Sequence, residues 1–146
     1  MTEDQKALVT ETWRKVVPIA DKAASLFYGR LFELEPGLKR LFVNTAMDAQ
    51  RTKLVAALGS VVDGLDRLEE VVPVLEDLGR RHAGYGVRDE HYDTVGEALL
   101  WTLEAGLGEA WTAEVKSAWA AAYTTVAGVM SKAARDSGAG TLIAAR

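Results

Sequence analysis

The sequence contains no cysteine, two histidines and three prolines among its 146 residues. Without a thiol, disulfides, zinc–thiolate sites, iron–sulfur clusters and thioether-linked cofactors are excluded. Imidazole chemistry must run through His82 or His91, the two histidines of the chain. Long apolar runs are missing as well. The least polar stretch, Ala118 to Met130, is alanine-rich, interrupted by Thr124 and Thr125, and too short to span a bilayer. A basic excess is also absent. The formal charge is −4, and a doublet such as Arg80-Arg81 is too small to track a phosphate backbone, so no nucleic-acid surface is expected. The first residues, Met1-Thr2-Glu3-Asp4-Gln5-Lys6, are charged at once and do not read as a secretory signal. A cytoplasmic, membrane-free protein is the expectation.

What is present is the material of a packed helical domain. The hydrophobic share of 49% and the charged share of 26% place the chain among globular proteins. A chain of this length removes roughly 68% of its unfolded surface from water, enough for a core without staples. Thr2 and Gln5 form a capping-box pattern, followed by Leu8, Val9, Trp13 and Val16 at helical spacing. A second helix is expected from about Pro18 to Leu34, with Phe27, Tyr28, Leu31 and Phe32 on one side and Pro36 as its stop. From Asp48 to Leu65 the residues Leu54, Val55, Leu58, Val61, Val62 and Leu65 make a 3.6-residue stripe. A further helix begins near Leu68, runs through Leu75, Leu78 and His82, and stops at Gly84 and Gly86. Asp89 is placed to cap the next helix and Thr112 to open the last. The reading is an all-α domain of six to eight helices over residues 1–136, with a glycine- and alanine-rich tail, 137–146, that frays.

Three polar residues interrupt the apolar stripes. His82 shares a face with Leu75 and Leu78, where a ring is either a satisfied core residue or a ligand. Gln50 lies one turn before Leu54; it points along the buried stripe or turns out to solvent. Tyr28 leans towards Leu31 and Phe32, and a buried phenol needs a partner, either a backbone carbonyl or a ligand atom. The turn near Asp66 joins the helices of Gln50 and His82, and each lies about 16 residues from it, or roughly 24 Å along a helix. If the two helices splay, imidazole and a neutral hydrogen-bond donor face one another across a gap. That pairing suits a haem iron with a diatomic ligand.

The run Phe27-Tyr28-x-x-Leu31-Phe32-x-x-x-Pro36-x-Leu38-x-x-Leu41-Phe42 resembles the early helices and corner of bacterial globins. The segment from Leu78 through His82, Val87, His91-Tyr92 and Val95-Gly96 to Leu99-Leu100 is similar to their proximal stretch, and Ala118-Trp119-x-x-x-Tyr123 to their final helix. The likeness covers about residues 5 to 132 and points to single-domain bacterial haemoglobins and the haem domain of flavohaemoglobins. It implies a globin fold around non-covalent haem b. His82 would be the proximal iron ligand, with Tyr28 and Gln50 as distal donors and Leu54 over the distal side. Phe42 would wedge against the haem, Val87, Tyr92 and Val95 would line its proximal half, and Lys53 or Arg81 could meet the propionates. His91 is expected to cap its helix or lie on the surface. The ligands implied are O2, CO and NO, held with high affinity on a ferrous iron that is five-coordinate or weakly liganded; a tyrosinate or glutamine ligand is an option in the ferric state.

The sequence also departs from that family. Flavohaemoglobins continue into a reductase domain and pair the residue matching Tyr92 with a glutamate, where this chain aligns Ala134. The spacing from Phe42 to Gln50 is about two residues shorter. Reversible O2 binding for storage, delivery or scavenging is therefore the leading expectation. Nitric oxide dioxygenation with a separate reductase is the alternative. A gas sensor and a haem-free helical interaction module are further readings.

Overall fold

The structure, a computed structural model, describes residues 1–145, and side chains as far as residue 136. Six α-helices succeed one another: α1 (Glu3–Val16), α2 (Ala20–Leu34), α3 (Met47–Asp63), α4 (Leu68–Gly84), α5 (Asp89–Leu107) and α6 (Ala113–Ala145). Short 3-10 turns link them at Val17–Ile19, Pro36–Phe42, Leu65–Arg67 and Gly108–Ala110. No strand occurs among the described residues, and no helix is long and apolar enough to cross a membrane. The expected fraying of residues 137–146 lies outside what the side-chain description covers.

Local chemistry accounts for the boundaries. The Thr2 hydroxyl accepts the Gln5 N–H at 3.1 Å, and the Gln5 carboxamide accepts the Thr2 N–H at 3.0 Å. That reciprocal pair caps α1 as its sequence predicts. The second helix begins at Ala20 rather than Pro18, because Val17–Ile19 tightens into a 3-10 turn around the proline. At the far end of α2, Glu35 stands before Pro36, a position where the helical conformation is disfavoured, and adopts φ −144° and ψ 85°. One expectation fails in detail. The N-cap of α5 is Arg88 rather than Asp89, and its N–H is received by the His91 ring. The Asp89 carboxylate instead binds Arg135 of α6 at 3.1 Å. Asp89 lies inside the first turn, where its charge complements the helix dipole without acting as the cap.

Packing is pairwise. α4 lies along α6, α2 along α5, and α1 crosses α6. Trp13 and Trp119 meet with ring centroids 6.3 Å apart, and the buried Trp119 indole donates to the Thr12 hydroxyl at 2.8 Å. Thr12 passes its own proton to the Leu8 carbonyl at 2.6 Å, so this polar pair is satisfied inside the core. α3 rests on α2 rather than on α4, so the two helices joined through Leu65–Arg67 splay apart.

α4 is fixed by a contact that only glycine permits. A Cβ on Gly79 would stand 2.7 Å from the Met130 Cα of α6, a backbone atom that cannot swing away. Gly79→Ala should therefore cost about 1–3 kcal/mol by overpacking, more than the ~1 kcal/mol that alanine gains over glycine in a helix. Gly128→Ala, where the new methyl meets nothing within 4 Å, should instead stabilise by about 0.4–1 kcal/mol. Urea unfolding followed by circular dichroism checks both signs.

Candidate functional site

On the α2–α3 side, Tyr28 sits in an aromatic cluster. Its ring meets Phe27 edge-on at 5.0 Å, Phe42 at 5.6 Å and Phe32 at 6.2 Å. Phe42 arrives from the 3-10 turn that Pro36 opens, so the proline break places it against α2. The Tyr28 hydroxyl accepts a hydrogen bond from Gln50 Nε2 at 3.1 Å, across 22 residues of chain. The Gln50 carboxamide therefore points inward and not out to solvent. Burial pushes the Tyr28 phenol above its ordinary pKa, and the bond from Gln50 offsets this only in part. Tyr28 is thus a neutral phenol at physiological pH. Its own proton has no protein acceptor among the described residues and is free for one that enters.

On the α4 side, His82 Nδ1 lies 2.6 Å from the Leu78 carbonyl one turn earlier. A carbonyl only accepts, so Nδ1 carries the proton and Nε2 keeps its lone pair. This is the arrangement of an imidazole that ligates through Nε2. The His82 carbonyl accepts from the N–H groups of Tyr85 and Val87, both at 3.0 Å, which folds the following corner back over the end of α4. Gly86 supplies the positive φ of 95° that this reversal needs. A Cβ there would lie 3.3 Å from Leu41, so this corner touches the turn that carries Phe42. The two halves of the site meet at that point.

The remaining predicted residues divide. Val87, Tyr92 and Val95 are half-buried beside the His82 corner and along α5. The Tyr92 hydroxyl is buried yet has no hydrogen-bond partner, while the Tyr92 carbonyl accepts from Tyr123. Burial raises the pKa of both phenols, with the Asp89 carboxylate adding to the effect at Tyr92. Leu54 lines a small apolar cavity with Phe27, Leu58, Leu99 and Leu103, behind the Tyr28 cluster. Lys53 is exposed and has no ion-pair partner among the described residues. Arg81 is exposed and pairs with Asp77 on its own helix. His91 caps α5, one of its two expected roles, and is not on the surface: it is 6% exposed, its Nδ1 accepts the Arg88 N–H, and its Nε2 lies 3.3 Å from Glu35. Its partner Glu35, together with Thr94, escapes a reading of local pattern, because 59 residues separate Thr94 from Glu35.

These features fit a flat, mostly apolar prosthetic group carrying a metal. Of the apolar stripe of α3, only Val62 is buried; Leu54, Val55, Leu58 and Val61 remain half-buried and offer an apolar wall. The orphaned Tyr92 hydroxyl on α5 and the His82 imidazole on α4 supply polar groups, as do Tyr28 and Gln50 on α2 and α3. The hydroxyl makes a stability prediction. In the haem-free protein, Tyr92→Phe should be neutral or stabilise by up to about 1 kcal/mol, since it removes an unpaired buried group. Tyr123→Phe should cost about 1 kcal/mol, since it strips a partner from the Tyr92 carbonyl. Parallel urea titrations of the two variants check the contrast.

Comparison with known proteins agrees with this geometry. A family profile described as Globin matches residues 25–130. The chain is 32% identical to Neuroglobin-1 of Oncorhynchus mykiss over 145 residues, covering 90% of this chain and 91% of that one. It is 35% identical to a Flavohemoprotein of Bacillus subtilis (strain 168) over 103 residues, 69% of this chain but 26% of that longer relative. A bacterial globin structure from Campylobacter jejuni superposes with a TM-score of 0.82 at 20% identity, covering 92% of this chain and 97% of its own. A hexacoordinated heme protein from an anhydrobiotic tardigrade superposes with a TM-score of 0.83 at 16% identity, over 92% and 96% of the two chains. The flavohaemoprotein likeness is the one the sequence motifs suggest; the neuroglobins are relatives those motifs do not single out. With this profile and these relatives, the all-α architecture is a globin fold, and the chain belongs to the globin family, whose members bind haem and, through it, diatomic gases.

Proposed function

We propose that residues 1–136 hold haem b non-covalently and that the protein binds O2 reversibly, for storage, delivery or scavenging, with CO and NO as further ligands. A cytoplasmic setting belongs to the same reading. The observation that carries it is the bond from Gln50 Nε2 to the Tyr28 hydroxyl at 3.1 Å, which leaves the Tyr28 proton uncommitted.

Haem supplies, when bound, an iron that takes diatomic gases at its distal face. His82 is the residue to hold that iron, because Leu78 fixes its proton on Nδ1. Phe42, Leu54, Val87 and Val95 supply apolar contact and exclude water. The buried Tyr92 hydroxyl gains a polar neighbour, and Lys53 is free to meet a propionate. Arg81 reaches one only by leaving Asp77. Tyr28 donates its proton into the distal space, and Gln50 both orients the phenol and makes it the better donor by hydrogen-bonding to its oxygen. With haem bound, the Tyr28 donor would favour O2, the more charge-accepting ligand, over CO. A hydrogen bond to a charge-bearing acceptor is worth about 1.5–3 kcal/mol, or roughly 10- to 100-fold in dissociation rate. Burial keeps the Tyr28 phenol protonated and so able to donate.

The flavohaemoprotein likeness supports a second reading, nitric oxide dioxygenation with a separate reductase returning the iron to ferrous. The same residues would serve it. Ala134, in place of a glutamate, leaves Tyr92 without a carboxylate partner on α6 and favours binding over turnover chemistry.

Three measurements test these readings. His82→Ala should lose haem during purification and regain a Soret band when imidazole is added; haem retention unchanged by the substitution would remove the ligand assignment. Tyr28→Phe should speed O2 dissociation about 10- to 100-fold by stopped flow, with a smaller change for CO. Gln50→Leu should give a lesser acceleration, because Gln50 acts largely through Tyr28. Sustained NO consumption over many turnovers, with O2 and an added reductase, distinguishes the dioxygenase from the carrier.

A further inference from the structure

The corner after His82 is held by a histidine in one specific protonation state. His91 Nδ1 accepts the Arg88 N–H at 2.9 Å, so that nitrogen bears no proton. In the neutral ring the proton is therefore on Nε2, which lies 3.3 Å from Glu35 Oε2. The other Glu35 oxygen accepts the Thr94 hydroxyl at 2.8 Å. One neutral imidazole thus ties the end of α2 to the first residue before α5. Arg88 follows Val87, whose N–H binds the His82 carbonyl at 3.0 Å. The series His91, Arg88, Val87, His82 is continuous through two hydrogen bonds and one peptide link.

We propose that His91 is a pH-sensitive latch on this corner and hence a positioning residue for His82. A second proton on the ring must go to Nδ1, because Nε2 already has one. Nδ1 then faces the Arg88 N–H donor to donor, and that bond breaks. The same proton makes the ring an imidazolium opposite the Glu35 carboxylate, which strengthens the attachment to α2. Protonation therefore does not expel the ring; it keeps its hold on α2 and releases the corner. The other charged groups around it offset one another: the Arg88 guanidinium lies 3.7 Å from Glu90, and Asp89 is held by Arg135 of α6 at 3.1 Å. Glu35 is thus the carboxylate in contact with the ring. Its side chain is 36% exposed, which gives protons a route from solvent to an otherwise buried imidazole.

The test uses His91→Gln and His91→Leu beside the unmodified protein. Glutamine keeps one acceptor for Arg88 and one donor for Glu35 but does not titrate across the same pH range, and leucine keeps neither. Backbone amide exchange, expressed as protection to remove its intrinsic pH dependence, should show the Arg88 amide of the unmodified protein losing about tenfold protection between about pH 8 and pH 5. His91→Gln should hold its protection across that range, and His91→Leu should lack it throughout. In the ferrous haem-loaded protein the iron–histidine stretching band should shift over the same range, and His91→Gln should abolish the shift. Equal pH profiles in the unmodified and glutamine proteins, by either measurement, would overturn the proposal. The Raman measurement rests on the haem reading and the exchange measurement does not. Loss of haem binding therefore sinks the proposed function, while Arg88 protection still decides the latch.

Discussion

The closest constraint in the molecule is the crossing of α4 and α6 at Gly79, where two backbones touch with no side chain between them. α4 packs mainly on α6 and not on α3, its neighbour in sequence. α3 turns to α2 instead, and the faces bearing Gln50 and His82 are left apart. Much of the site follows from this one contact. The stripe of α3 packs against the core formed by α1, α2 and α5 but is only half-covered there. Pro36 makes the complementary arrangement at the other end, stopping α2 and sending the chain through a 3-10 turn that sets Phe42 beside Tyr28. Packing at one edge and a backbone restriction at the other define a site that neither builds directly.

Within that frame the polar groups act in pairs. Between α2 and α3, Gln50 donates to the Tyr28 hydroxyl, so the two act as one pair. On the proximal side Leu78 fixes the His82 proton, and the corner that follows is bonded back to the His82 carbonyl. The His91 pair with Glu35 lies outside both and ties their supporting elements together. Apolar residues supply most of the contact area and polar residues supply orientation, the usual division in a site for a prosthetic group.

Much of this is legible in the sequence. The capping box of α1, the stop at Pro36, the stripe of α3 and the start of α4 at Leu68 each rest on short-range chemistry that a single segment contains. The apolar stripes leave Gln50 open between the core and solvent, and its bond to Tyr28 resolves the choice. What eludes the reading is non-local or sits in a boundary turn. The cap of α5 is misread because an acidic residue at the expected position is the usual solution, whereas here a histidine one turn in receives the N–H. The burial of His91 depends on Glu35, which no spacing rule associates with it. The incomplete cover of the α3 stripe is likewise invisible, since periodicity says which face is apolar and not what lies against it.

That half-covered stripe has a consequence for the life of the protein in a cell. A ligand that seats against it binds the folded chain and has no comparable partner in the unfolded one. At a free concentration a thousand times its dissociation constant, such a ligand adds about 4.1 kcal/mol to stability by mass action, a large share of the 5–15 kcal/mol that domains possess. A newly made chain that finds none spends more of its time open to proteases. On the proposed function, abundance of the protein would follow supply of the ligand, and turnover would remove chains that lack it.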